Sequence, residues 1–204
     1  ERLQEYYELG ARFAKWRAVI KIGSGIPSNA CIQTNAHALA RYAALCQEAS
    51  IVPIVEPEVL MDGDHTIETC HDVSEKSFRS VFEELAIQGI YLEGMVLKPN
   101  MVVSGIDCID QAGVEEVADR TVECLKATVP DDVPGCAFLS GGQSSEDATA
   151  HLSKMNEKYG DSLPWHLTFS YGRALQASAL QTWSGKDQNI KAAQEAFYQR
   201  ARYN

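Results

Sequence analysis

One lysine in the sequence stands where an apolar residue would be expected. The stretch IYLEGMVLKPNMV, residues 90–102, is apolar up to Lys98 except for Glu93, which is typical of a strand buried on both faces. Burying a lysine without a partner is costly, and desolvation or a neighbouring cation favours the neutral amine, which is a nucleophile. Lys98, at the expected end of this strand, is therefore a candidate nucleophile.

Three further charged residues are predicted to lie near Lys98. Glu56 ends an apolar strand of its own, and Lys15 and Arg17 alternate along an earlier segment. Because alternate side chains of a strand point to one face, these residues can converge with Lys98 at the mouth of a barrel. There Lys15 can supply the neighbouring cation and Glu56 can move protons. A structural ion-pair network among the same four residues is the alternative, and residue types alone do not decide between the two.

Two glycine-containing segments indicate a phosphorylated substrate. FLSGGQS follows a predicted strand and offers the hydroxyl of Ser140 together with backbone N–H groups at Gly141 and Gly142, which suit a phosphate oxyanion. FSYGRA follows the next strand, where Gly172 permits close approach and Arg173 can bind phosphate through paired hydrogen bonds. Each segment alone is also typical of an ordinary turn. Their positions at consecutive strand ends predict a phosphate site.

The elements that must position these residues alternate between strands and helices, which is typical of parallel βα units. An amphipathic helix is expected in the opening segment, residues 1–16. Strands are expected over residues 16–22, 51–57, 90–98, 135–142 and 165–172. Further helices are expected over residues 28–50, 65–89, 113–128, 144–160, 173–183 and 186–201. No linker or low-complexity segment interrupts them, so residues 1–204 are predicted to form a single domain.

Two α/β architectures fit this alternation, an open doubly wound sheet and a (β/α)8 barrel. The segment after the first strand, IKIGSGIPSN, lacks both the G-x-G-x-x-G pattern and the lysine of a P-loop. In a barrel, catalytic residues come from the carboxyl ends of several strands, and phosphate binds after strands seven and eight. The barrel is favoured, although only five strands are predicted and eight are needed.

The composition excludes several classes of protein. The chain has 204 residues, of which 45% are hydrophobic and 23% charged, and its net charge of −10 argues against a general nucleic-acid-binding protein. No run approaches the length of about 18 apolar residues that a membrane span requires. The six cysteines form no C-x-x-C pair and the opening segment does not resemble a signal peptide. These features predict reduced thiols in an intracellular protein.

Five segments, in order along nearly the whole chain, resemble class I fructose-bisphosphate aldolase. They are KWR (15–17), PIVEPE (53–58), LEGMVLKPNMV (92–102), FLSGGQS (138–144) and FSYGRALQASAL (169–180). The resemblance implies a (β/α)8 TIM barrel of which this chain supplies about five βα units, strands 4 to 8, as its C-terminal portion. It also implies reversible cleavage of fructose 1,6-bisphosphate to dihydroxyacetone phosphate and glyceraldehyde 3-phosphate in glycolysis and gluconeogenesis. Neither a metal nor another cofactor is implied.

The resemblance also gives roles to the candidate residues. Lys98 corresponds to the lysine that forms a Schiff base with the substrate ketone, Glu56 to the proton-transfer residue, and Glu58 to a supporting carboxylate. Lys15 and Arg17 correspond to residues that assist imine formation and bind substrate. The family's phosphate-binding positions correspond to Ser140, Gly141, Gly142, Gly172 and Arg173.

Other functions and the extent of the chain are also considered. A different Schiff-base sugar-phosphate aldolase fits the two phosphate segments less well, and a non-catalytic protein-binding role is the alternative of another class. Family members begin upstream with three further strands and end in a mobile tail with a functional tyrosine. We therefore expect a fragment that is poorly stable and has little or no activity alone.

The implied partners are small sugar phosphates, with no nucleic acid and no membrane, and a homotetramer is expected for the full-length protein. Cytoplasm is the expected location, with a plastid as the alternative.

Overall fold

Five parallel strands alternate with helices in the computed structural model, which describes all 204 residues. The strands are β1 (Phe13–Ile20), β2 (Val52–Val59), β3 (Val96–Leu97), β4 (Gly135–Phe138) and β5 (His166–Phe169). They form one sheet in the order β1-β2-β3-β4-β5, and every neighbouring pair is parallel. Chain order and spatial order therefore coincide, as they do in the wall of a (β/α)8 barrel.

Helices connect the consecutive strands. Helix α1 (Arg2–Glu8) precedes β1, and four helices follow the first four strands: α2 (Asn29–Glu48), α3 (Ile67–Ile87), α4 (Val114–Thr128) and α5 (Ser145–Tyr159). Two more follow β5: α6 (Arg173–Trp183) and α7 (Ile190–Tyr203). Short 3-10 turns occur at Leu92–Gly94, Gly160–Ser162 and Asp187–Asn189. None of the helices combines the length and the apolar character that crossing a membrane requires.

Side-chain caps explain where three of these helices begin. At the start of α2, the hydroxyl of Ser28 accepts a hydrogen bond from the N–H of Cys31. At the start of α3, the hydroxyl of Thr66 accepts one from the N–H of Thr69. At α5, Ser144 accepts from the N–H of Asp147 at 3.0 Å and donates to the Asp147 carboxylate at 2.7 Å. Such caps satisfy N–H groups that a helix leaves unpaired at its start.

The two faces of the sheet differ. The helix-covered face carries buried side chains, among them Ala18, Ile20, Val55, Leu97, Cys136, Phe138 and Leu167. On this side the ring of Trp16 lies 5.6 Å from that of Tyr42 in α2. The open face carries the alternate residues, and several of its apolar side chains are exposed, including Phe13 (67%), Val19 (40%) and Val52 (39%). The hydrophobic core thus lies between the sheet and its helices.

Several predicted boundaries are wrong. The opening helix ends at Glu8, because Gly10 adopts a φ of 103° that a helix does not allow, and β1 begins at Phe13 instead of residue 16. Strands β4 and β5 end at Phe138 and Phe169, so the glycine segments lie in turns. Strand β2 continues to Val59, so Glu56 lies inside this strand and does not end it.

The largest difference concerns the third strand, predicted over residues 90–98 but formed only by Val96–Leu97. The side chain of Gln47 in α2 holds the preceding segment outside the sheet. Its amide donates to the Tyr91 carbonyl at 2.7 Å and accepts from the Tyr91 N–H at 3.0 Å. Tyr91 is consequently 63% exposed, so the apolar run was not a strand buried along its whole length.

Candidate active site

Lys98 lies on the open face, directly after β3. Its backbone N–H donates to the carbonyl of Val55 at 2.8 Å, which fixes it beside β2. Its side-chain Nζ lies 3.2 Å from Oε1 of Glu56, and Nζ of Lys15 lies 2.9 Å from Oε2 of the same carboxylate. The structure thus brings together three of the four charged residues that the sequence predicts to meet, with one carboxylate between two ammonium groups.

These three side chains differ in their access to water. The exposed fraction is 4% for Glu56, 12% for Lys98 and 41% for Lys15. A carboxylate removed from water requires compensating charge, and the two lysines supply it. Oε2 of Glu56 has no hydrogen-bond partner of suitable geometry, so its contact with Lys15 is electrostatic. Lys98 is therefore a largely desolvated amine next to a carboxylate that can exchange protons with it.

Arg17 belongs to a second, adjacent ion pair. Its Nε donates a hydrogen bond to the carboxylate of Glu58, whose side chain is 5% exposed. This hydrogen bond raises the pKa of the Arg17 guanidinium, and the charge of Glu56 acts in the same direction. Arg17 therefore pairs with Glu58 and not with Glu56, which differs from the four-residue network considered from the sequence. The two ion pairs lie next to each other along β1 and β2.

A proline and an asparagine explain how the chain leaves the sheet after Lys98. The backbone of Val55 hydrogen-bonds toward β3, so the backbone of Pro57, two residues further along β2, points the same way. Pro57 has no N–H to donate there. The next N–H on that side, that of Val59, donates instead to Oδ1 of Asn100 at 3.0 Å. Asn100 is 3% exposed and also donates to Ser74 of α3 at 3.0 Å. The sequence reasoning missed this residue, whose only signal was an amide within an apolar segment.

The Ser140–Gly142 segment forms a turn beside the residues that follow Lys98. The N–H of Leu139 donates to the carbonyl of Pro99 at 3.1 Å, which extends the pairing of β3 with β4. Gly141 has a φ of 59°, a conformation that favours glycine. A Cβ atom on Gly142 would lie 2.8 Å from the sulfur of Met61, so a larger residue does not fit there without a shift. Ser140 itself is 4% exposed.

The second glycine segment joins the first. Gly172 is the N-cap of α6, and Arg173 is the first residue of that helix. The guanidinium of Arg173 donates a hydrogen bond to the carbonyl of Gly141. The predicted phosphate-binding residues thus lie together at the carboxyl ends of β4 and β5, on neighbouring strands. The Arg173–Gly141 hydrogen bond joins the two turns directly.

Gln143 and His151 support the first turn, and the sequence reasoning did not identify either. The Gln143 amide donates to the Ser140 carbonyl at 3.2 Å, and its oxygen lies 2.6 Å from Nδ1 of His151. Burial lowers the pKa of His151, against the opposing effect of Asp147. The neutral ring can donate from Nδ1 to the amide oxygen, which fixes the orientation of Gln143. Their contact depends on the turn between β4 and α5, so residue spacing gave no signal.

A model of class I fructose-bisphosphate aldolase, described as glycolytic, matches residues 1–204. The chain belongs to the class I fructose-bisphosphate aldolase family. It is 60% identical to a probable class 1 aldolase of Xanthomonas campestris and 52% identical to cytosolic fructose-bisphosphate aldolase 4 of Arabidopsis thaliana. Both alignments include the whole chain, which spans 60% and 52% of the length of these curated relatives. The family predicted from the sequence is thereby confirmed.

The structural comparison confirms the aldolase fold. The chain matches the fructose-bisphosphate aldolase of Plasmodium falciparum, solved in complex with TRAP and a small-molecule inhibitor, with a TM-score of 0.97 and 50% identity. This match covers 100% of the chain and 58% of the other protein. The five-stranded parallel sheet is therefore part of an aldolase TIM barrel, as predicted. As a family, class I aldolases use a lysine Schiff base and no metal.

Proposed function

We propose that this chain carries the Schiff-base site of an enzyme that reversibly cleaves fructose 1,6-bisphosphate to dihydroxyacetone phosphate and glyceraldehyde 3-phosphate. One observation carries the proposal: the largely buried Lys98 lies 3.2 Å from Glu56 and directly beside the turn that holds Ser140. A structural ion-pair network would account for the charges. It would not account for the glycine turns and the arginine that follow β4 and β5 next to the same lysine.

In the first half of the reaction, Lys98 forms the covalent intermediate. Lys98 first passes a proton to the Glu56 carboxylate 3.2 Å away, and its neutral amine then attacks the C2 carbonyl of the substrate and gives a carbinolamine. Glu56, in its protonated form, then transfers a proton to the departing hydroxyl, which leaves as water and produces a cationic iminium. Lys15 lies on the other oxygen of Glu56, where its positive charge attracts an anionic substrate.

In the second half, the iminium accepts the electron pair of the bond that breaks. The C4 hydroxyl loses its proton to a carboxylate, the C3–C4 bond breaks, and glyceraldehyde 3-phosphate is released. The electron pair remains on the nitrogen-bound fragment as an enamine, which avoids a free carbanion. Glu56, having donated its proton, is the carboxylate closest to Lys98. Protonation of the enamine at C3 and hydrolysis of the imine then release dihydroxyacetone phosphate.

The remaining site residues bind and orient the substrate. The Ser140 hydroxyl, the N–H groups near Gly141, Gly142 and Gly172, and the Arg173 guanidinium would hold a phosphate group. Arg17, oriented by Glu58, would contact the sugar or its other phosphate. Fixing the phosphate fixes the distance between the reacting carbon and Lys98, so binding energy is converted into orientation.

The proposal extends to the surroundings of the enzyme. We infer that its partners are sugar phosphates, that it needs no metal or other cofactor, and that the full-length protein is a cytoplasmic homotetramer. A cytosolic relative from Arabidopsis thaliana supports this location over a plastid. We also infer that residues 1–204 form a single domain that supplies strands 4 to 8 of the barrel, and that turnover requires the remaining strands.

The test is a coupled cleavage assay on the full-length protein with two lysine substitutions. Lys98→Met should abolish turnover, a loss on the order of 10⁶-fold or more if the rate enhancement is typical of enzymes. Lys191→Met, at an exposed position of α7, is the matched control and should retain full activity. Turnover that survives Lys98→Met would refute the proposed nucleophile. Absence of cleavage by the unsubstituted protein would favour the non-catalytic alternative.

A further inference from the structure

The last helix contacts both helices that begin at the phosphate pocket, and it does so through Arg200. The guanidinium of Arg200 donates to the carbonyl of Ser145 at 2.7 Å and to the hydroxyl of Thr149 at 2.8 Å, both in α5. It also donates to the carbonyl of Ala174 in α6 at 3.3 Å. One side chain of α7 therefore bridges α5 and α6.

The bridged residues lie immediately behind the two glycine turns. Ser145 is the first residue of α5, which begins after the Ser140–Gly142 turn, and Ala174 is the second residue of α6, which begins after Gly172. A second tie joins the same parts, because the Tyr171 hydroxyl donates to the carbonyl of Ala148 in α5 at 2.7 Å. Displacing α5 relative to α6 would therefore separate the two halves of the pocket.

The chemistry of the contact requires arginine. Its acceptors are two carbonyls and a hydroxyl, all neutral: Nη2 of the half-buried guanidinium reaches both acceptors in α5, and Nε reaches the acceptor in α6. Lysine carries the same charge on a single nitrogen and cannot reproduce a fork that reaches two helices at once. Replacing Arg200 by lysine therefore keeps the positive charge and removes the bridge between the two helices.

We propose that Arg200 is a positioning residue for the phosphate pocket. It does not touch the substrate; it sets the spacing between the Ser140–Gly142 turn and the Gly172–Arg173 turn. The inference rests on the proposed function, because the substrate phosphate is the anion that the pocket would bind. Asn204 reinforces the contact by accepting from the Thr149 hydroxyl at 2.7 Å and donating to the Arg200 carbonyl at 2.8 Å.

The experiment compares Arg200→Lys with Arg202→Lys in the full-length protein. Arg202 lies on the same helix and is exposed, so it is the matched control. Two quantities are measured: the Kd of inorganic phosphate by titration calorimetry, and the kcat and KM for fructose 1,6-bisphosphate. Arg200→Lys should raise the phosphate Kd and the KM about tenfold while kcat is retained, because uniform binding is lost and the nucleophile is intact. Arg202→Lys should change neither.

Two results would overturn the positioning role of Arg200. A purely structural role would lower the Tm of Arg200→Lys without changing its phosphate Kd, and that result would overturn the proposal. If Arg200→Lys does not fold, Thr149→Val removes at nearly constant volume the hydroxyl that accepts from Arg200 and donates to Asn204, and it should raise the phosphate Kd at least about threefold. An unchanged Kd in that variant would also overturn it.

The same data separate this inference from the proposed function. Weaker phosphate binding in Arg200→Lys, together with no cleavage by the unsubstituted protein, would support the positioning role and refute the aldolase activity. Normal cleavage by the unsubstituted protein, together with an unchanged phosphate Kd in the variant, would refute only the positioning role.

Discussion

The helix-covered face and the open face of the sheet use alternate residues of the same strands for different purposes. On β2, Val55 is fully buried against the helices, while its neighbour Glu56 points the other way and contacts Lys98 and Lys15. On β1, the exposed Phe13 is in line with Lys15 on the open face. The side-chain period of two thus places packing on one face and charge on the other.

This difference indicates where stability and chemistry reside. The helix-covered face holds the packed core, because side chains such as Leu97 and Phe138 have no exposed surface. The open face combines a functional cluster with apolar side chains that remain in contact with water. A substitution on the first face should therefore change mainly the free energy of unfolding. A substitution among the charges of the second face should change mainly turnover.

After Lys98→Met, the largest effect is expected for Glu56→Gln, assayed in the full-length protein. Glutamine keeps the size of the side chain but cannot transfer protons, so kcat should fall by about 10²–10⁴-fold, the range for one acid–base group. Asp119→Asn, which alters a carboxylate on the exposed side of α4 that contacts Lys158 at 2.6 Å, is the control and should leave kcat unchanged. Equal kcat values for the two variants would mean that Glu56 only neutralises the lysines.

A pair of phenylalanines tests the contrast between the faces directly. Phe138→Ala should lower the free energy of unfolding by about 3–5 kcal/mol, since it leaves a cavity in the core. In the 204-residue chain, Phe13→Ala should change it by less than about 0.5 kcal/mol, because Phe13 is 67% exposed. Urea denaturation measures both values.

The same pair also tests whether further strands cover the open face. In the full-length protein, Phe13→Ala should become more destabilising than in the 204-residue chain, because the added strands would bury this side chain. An equal, small effect in both proteins would contradict the proposal that the open face belongs to the interior of a barrel.

The smallest effect concerns two buried histidines at acidic pH. Burial lowers the pKa of both His65 and His151. The unfolded chain, with ordinary histidines near about 6.5, therefore binds more protons below that pH than the folded chain does. Stability should be fully present above about pH 6.5 and decrease as the pH falls, by up to about 1.4 kcal/mol per pH unit for each histidine.

Denaturation curves between neutral and mildly acidic pH, recorded for two variants, check this expectation. His151→Asn should reduce the loss of stability on acidification, while still allowing an amide N–H to reach Gln143. His166→Asn, on the exposed open face, should not alter the loss. Parallel curves for His151→Asn and the unsubstituted protein would contradict the assignment.

The sequence predicted those site residues that stand out within or directly after apolar segments. Lys98 and Glu56 interrupt apolar segments, and the glycines around Ser140 and Gly172 follow such segments, so each was identified before the fold was known. The family motifs then related them to one reaction. The alternation of apolar and amphipathic segments likewise predicted the parallel βα order.

Other features depend on tertiary contacts that the local sequence does not encode. The third strand was predicted too long because its apolar run gave no sign that Gln47 would hold Tyr91 outside the sheet. Arg200 was not identified from the sequence, because its guanidinium bridges α5 and α6 only in the folded chain. The sequence showed Asn100 only as part of a motif. Its side chain accepts the hydrogen bond of the Val59 N–H, beside Pro57 of β2, and this contact forms only in the folded chain.

The most direct test of the central claim, that Lys98 is the Schiff-base nucleophile, is borohydride trapping with dihydroxyacetone phosphate followed by peptide mass mapping. Borohydride reduces an imine to a stable secondary amine and so marks the lysine that attacked the ketone. We expect the full-length protein to carry one adduct, on Lys98, and the 204-residue chain to carry little or none. An adduct on Lys15 or another lysine in its place, or no adduct in the full-length protein, would contradict the account.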